Sequence, residues 1–171
     1  MPGRTPREAV AAFLQPLNES TRCLLAASWS SHSPRGGRDI GGEYTALLNW
    51  GRPVRVGELG IEVDASIPFT VVEQDINKRG ERVSRGQRYK VKTRQYWYTL
   101  KHVDTGDEAV AFHWHPDAKG DVAYPHVHIG TVELSGEGML SRKNHMPTGR
   151  MAFEQVLMLL RDSGAEPVRQ D

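Results

Sequence analysis

The sequence predicts an α+β domain: a mostly antiparallel β-sheet with N- and C-terminal helices packed on one face. Three observations predict it. Residues near each end repeat their apolar positions at helical spacing. The stretch from Tyr89 to Val103 alternates and is rich in Tyr, Trp, Thr and Val, as strands are. Short strand-like runs bounded by glycines fill the region between them. The 171 residues and 38% hydrophobic content suit one domain spanning 1–171, with part of the chain in loops.

The first helix is expected over 5–26. Thr5-Pro6-Arg7-Glu8 reads as a capping box with proline at the first helical position. Val10, Phe13, Leu14 and Leu17 form one apolar stripe, and Pro16 bends or ends the helix. Residues 30–42, rich in Ser, Gly and Arg, read as a loop. Strands are expected within 43–74, at Tyr44–Trp50, Val54–Val63 and Phe69–Glu73, followed by a basic loop over 75–88. The sheet core falls in 89–135. After it comes a helix over 148–163, with Phe153, Val156, Leu157 and Leu160 as its apolar stripe and Gly164 as its C-terminal cap.

Charge and cysteine usage bound the function. A net charge of +1 argues neither for nor against nucleic acid. The charge is uneven, however: Lys78, Arg79, Arg82, Arg85, Arg88, Lys90, Lys92 and Arg94 share their stretch with one acid, Glu81, and make a local anion site or a solvated basic edge. The lone Cys23 excludes an internal disulfide and suits a cytoplasmic location. No apolar run approaches the roughly 20 residues of a membrane span, and the first residues lack the apolar core of a secretory signal.

The chemistry concentrates in histidines. His113-Trp114-His115 and His126-Val127-His128 are symmetric about Gly120-Asp121. In a hairpin about that centre, His113 faces His128 and His115 faces His126. Side chains alternate along a strand, so all four rings share one face, with opposed Cβ atoms about 5 Å apart. A two-residue turn at Thr105-Gly106 sets the preceding hairpin so that His113 faces Tyr98 and His115 faces Tyr96. One face then carries Phe112, Trp114, Trp97, Val127 and Ile129 as core. The other carries Arg94, Tyr96, Tyr98 and the four histidines.

That polar face supports three readings. The first is metal-independent acid-base cleavage of RNA. His113, His115, His126, His128, Tyr98 and His145 are the candidate catalytic groups, since imidazole gives and takes protons near neutral pH. Arg94, Tyr96, Lys92, Lys143 and Arg150 are the candidate substrate-binding groups, as cations for phosphate and a ring for base stacking. This reading needs no cofactor. The second is a metal centre in which His113, His115, His126 and His128 hold zinc or another divalent transition metal. The spacing Gly120-x5-His126-x-His128-x4-Glu133 resembles the first cupin motif, although the second cupin motif is missing and strict alternation puts Glu133 on the opposite face. His126-Val-His128-Ile-Gly130 resembles the histidine-triad hydrolases with glycine in place of the third histidine. The third reading is a non-catalytic interaction module. His32 and His102 are expected at the surface.

The run Tyr96-Trp-Tyr98, Phe112-His-Trp-His-Pro116, Pro125-His-Val-His-Ile-Gly130, His145-Met-Pro-Thr-Gly-Arg150 and the closing helix, about residues 96–165, resembles a group of small bacterial proteins. More distantly it resembles the TumE toxin family of toxin-antitoxin modules, in which Lys-Gly-Asp precedes His-x-His. Here Asp117-Ala-Lys-Gly-Asp121 precedes His126-Val-His128, with four residues between Asp121 and His126, a longer gap than in that family. Residues 1–75 have no counterpart in it. The resemblance implies a ribonuclease toxin acting on RNA and partnered by a DNA-binding antitoxin protein; no membrane partner is expected, because no apolar run is long enough to span a bilayer.

Overall fold

A computed structural model describes residues 2–33, 42–75, 79–80, 82, 84, 87–117, 122–130, 132–133, 139–140 and 144–168. The order of elements is β1 (Pro2–Gly3), α1 (Pro6–Arg22), β2 (Trp29–His32), β3 (Glu43–Leu48), β4 (Val54–Arg55), β5 (Ile61–Glu73), β6 (Tyr89–Thr93), β7 (Tyr96–His102), β8 (Glu108–Trp114), β9 (His126–Ile129), β10 (Val132–Glu133), β11 (Met139–Leu140), β12 (Met146–Pro147) and α2 (Phe153–Asp162). Among the described residues ten of these strands form one sheet, ordered β1-β6-β5-β7-β8-β9-β12, with β3 and β4 on β5 and β2 on β3. Every pairing is antiparallel, and β10 and β11 pair apart from this sheet. The expected α+β class is the observed one, and half of the residues of the basic loop expected over 75–88 lie outside the described residues.

The helices form where the caps place them, over shorter spans than expected. The Thr5 hydroxyl accepts the Glu8 amide at 3.2 Å, and the Glu8 carboxylate accepts the Arg4 amide at 2.8 Å. Helix α1 continues through Pro16 and stops at Arg22 rather than 26, because the Leu24 and Leu25 amides both return to the Thr21 carbonyl. Helix α2 starts at Phe153 rather than 148 because outside bonds hold the preceding segment extended. Met146–Pro147 pairs with β9, the Thr148 amide donates to the Pro125 carbonyl, and the Met151 amide donates to the Tyr96 hydroxyl. Gly164, with φ 101°, closes α2 as expected.

Strand β5 is the spine. Val63, Ala65, Ile67, Phe69 and Val71 alternate onto the helix side and are buried. It runs unbroken through Pro68, where it passes from β7 to β6. There the Pro68 carbonyl accepts the amides of both Arg94 and Gln95, and this splits the single strand expected over 89–103. Phe13 packs on Phe69 at 5.1 Å between ring centres, while Phe153 meets Trp29 at 4.9 Å and Tyr98 at 5.4 Å. Both helices thus cover the same face, called the core face below; the other is the outer face.

Two registers differ from expectation, with different consequences. Near the turn of the β7–β8 hairpin Lys101 pairs with Glu108, but Leu100 pairs with Val110, which leaves Ala109 as an extra residue. This β-bulge shifts the pairing by one, so Tyr98 faces Phe112 and Tyr96 faces Trp114. A one-residue shift exchanges faces. Tyr96 and Tyr98, expected beside the histidines, therefore lie on the core face with Trp114 and are each 3% exposed, while Trp97 moves to the outer face opposite His113. The β8–β9 register is shifted by two: His113 faces His126 and Ala111 faces His128. An even shift preserves the faces, so the four histidines stay together although the expected partners change.

Candidate metal centre

The outer face of β8 and β9 gathers imidazoles. His113 lies 4.8 Å from His128 and 5.7 Å from His126 between ring centres, and His126 lies 4.9 Å from His128. His115 adds a ring 5.1 Å from His126. His145, just before β12, approaches to 4.9 Å from His126 and 4.5 Å from His128. Ala111, opposite His128, is fully buried and gives this face only a methyl group.

Among the described residues, His113, His126 and His128 each offer a ring nitrogen within 4.8 Å of the others. Nitrogens around a tetrahedral zinc stand about 3.3 Å apart, given Zn–N bonds of about 2.0–2.1 Å. Closing that gap takes ring rotations of about an ångström at the nitrogen. His126 carries the most specific geometry. It is 0% exposed, and its Nδ1 lies 2.9 Å from the Tyr124 carbonyl oxygen. A carbonyl only accepts, so Nδ1 bears the proton and donates it. Nε2 is left with a lone pair, and it is buried with no hydrogen-bond partner. A metal-bound imidazole uses the same division of labour, one nitrogen oriented by a backbone carbonyl and the other coordinating.

The electrostatics agree. Burial first, and then the neighbouring rings of His128, His126, His115 and His145, hold His113 down to about 4. Desolvation also lowers His126 and His145. Packed imidazoles that resist protonation keep their lone pairs at neutral pH, which is the form that binds metals.

Other expected site residues lie elsewhere. Arg94 donates to Asp117 at 2.9 Å on the exposed rim beyond His115. Lys92 is on β6, with β5 and β7 between it and β8. Arg150, expected to bind substrate beside the histidines, instead stacks on the core-face ring of Trp114, 3.7 Å from its centre. Lys143 and Asp121 lie outside the described residues, as does the side chain of Glu133, whose backbone forms β10. His32 and His102 are exposed, as expected. Two neighbours escaped the sequence reading. Trp97 stacks near His115 at 6.3 Å, and Tyr124 meets His126 edge-on at 6.1 Å. Only the bulge sends Trp97 to this face, and the orienting group of Tyr124 is its backbone carbonyl, which has no side-chain signature.

Comparison with known proteins returns no matching family model, no matching curated protein and no matching solved structure. No described helix is long and apolar enough to cross a membrane.

Proposed function

We propose that this protein binds a divalent transition metal of the zinc class through His113, His126 and His128, and that the centre is of the catalytic rather than the structural type. The observation that carries this is the fully buried Nε2 of His126, set among further imidazoles: the Nδ1 bond to the Tyr124 carbonyl fixes the tautomer that leaves the lone pair on Nε2, and burial disfavours protonating it. Three protein ligands leave one position for water or substrate, the arrangement of catalytic zinc sites. When bound, such a metal supplies Lewis acidity and an activated water. His115 and His145 flank the three and are placed to move protons or hold a substrate at its edge. A cytoplasmic location belongs to the same reading, supported by the lone exposed Cys23.

The ribonuclease reading draws less support. Its Tyr98 and Tyr96 are on the opposite face, its Arg150 is stacked on Trp114, and His113 is held too neutral to serve as an acid near pH 7. Metal analysis of protein purified without a histidine tag separates the two. The expected result is about one equivalent of tightly held metal per chain, lost in His126→Ala and His128→Ala. RNA cleavage that persists in EDTA and disappears in His113→Ala would overturn the metal reading and favour a metal-independent toxin of the kind that acts on RNA and pairs with an antitoxin.

A further inference from the structure

The core face holds a second feature, on the opposite side of the sheet from the histidines. A cavity of about 380 Å³ opens between α1, the start of α2 and the sheet. Its walls include Tyr96, Tyr98, Trp114 and Phe153, and Arg150 and Glu154 also line it. The volume lies in the range of small-ligand sites.

Three donors in it have unused capacity. Tyr98 is 97% buried, being 3% exposed, yet its hydroxyl makes no hydrogen bond among the described residues. Burial raises its pKa, with Tyr96 and Glu154 adding to the effect, so the phenol keeps its proton and can donate it. The Tyr96 hydroxyl accepts the Met151 amide at 3.0 Å, and its own proton has no acceptor among the described residues. The Arg150 guanidinium is laid flat on Trp114 and forms no ion pair among the described residues. The Tyr98 hydroxyl is not sealed off from solvent, and Tyr98 lines the aromatic-walled cavity, so its proton and those of Tyr96 and Arg150 are available there to a ligand that supplies the acceptor and displaces water.

We propose that this cavity binds a small aromatic carboxylate, its ring against the tyrosine and tryptophan walls and its carboxylate accepting from Tyr98, Tyr96 and Arg150. Glu154 is the one acidic group in the lining. It repels the ligand's charge and sets the site's preference for a single carboxylate over a dianion.

The test uses the full chain with 1-naphthoate as the anionic probe and 1-naphthalenemethanol as its neutral counterpart. Binding is followed by tryptophan fluorescence and calorimetry, with and without EDTA. Naphthoate is expected to bind one per chain regardless of EDTA, and at least about tenfold more tightly than the alcohol. Tyr98→Phe and Arg150→Gln should each weaken it on the order of tenfold, and Glu154→Gln should tighten it. Tyr98→Phe removes only an unpartnered hydroxyl, so without ligand its thermal midpoint should match or exceed that of the parent protein, which separates lost binding from lost folding. No saturable binding, equal affinity for the alcohol, an unchanged Tyr98→Phe, or binding that requires metal would each overturn the assignment.

Discussion

Gly130 sits where β9 crosses the bulge on β8. Its amide donates to the Ala109 carbonyl at 2.8 Å, and a Cβ at this position would stand 2.4 Å from the Glu108 carbonyl oxygen. That neighbour is backbone, so relief requires the bulge itself to move. Gly130→Ala should therefore cost about 1–3 kcal/mol, read from the urea midpoint, and an unchanged midpoint would show that the bulge is soft. Tyr96→Phe tests a different local bond. It strands the Met151 amide that precedes α2, and a loss of about 1–2 kcal/mol is expected in the same measurement. At this scale the sequence was legible where chemistry is written in side chains. The H-x-H pairs and His145 were found because imidazoles are rare and were spaced by two. Tyr124 was missed because its carbonyl, shared by every residue type, does the orienting. The absence of a third histidine at position 130 also has a steric cause, since no side chain fits there.

The strands show how far alternation reaches. Parity along β8 and β9 was correct, and an even error in their register left the histidine face intact. Parity across β7 and β8 was inverted by one extra residue, Ala109, in a segment whose own alternation gives no sign of it. Bulges are set by how the partner strand and the layer beneath it pack, so neither strand's sequence announces them. The same reasoning explains the late start of α2: its apolar stripe begins at Phe153, while residues 146–151 are held extended by bonds to distant residues. Phe153 then joins α2 to Trp29 and Tyr98 and is 1% exposed. Phe153→Ala should cost about 3–5 kcal/mol, while the folded fraction keeps its metal stoichiometry, because the imidazoles stand on the other face. Loss of metal binding in protein still folded by circular dichroism would show that the two faces are not independent.

The whole molecule divides its labour between those faces. The helices and the aromatic residues of β5, β7 and β8 bury the core, while the imidazole cluster is built on strands at one end of the sheet, β8, β9 and β12. Their fully buried member, His126, lies in β9, which the two-residue strand β12 covers on its outer side. A metal that joins β8 to β9 therefore ties a peripheral pair of strands to the centre of the sheet. Anything that binds the folded chain and not the unfolded one stabilises it by mass action, by about 2.7 kcal/mol at a hundred times the dissociation constant. A domain of this size shifts its midpoint by roughly 2–4 °C per kcal/mol. Zinc at that excess should raise the thermal midpoint by about 5–10 °C, and EDTA should reverse the rise. The increment should vanish in His126→Ala, which removes the oriented lone pair. It should shrink without vanishing in His145→Ala, whose ring is exposed and outside the close trio. Equal increments in all three proteins would place the metal elsewhere on the chain, and no increment in the parent protein would remove the centre altogether.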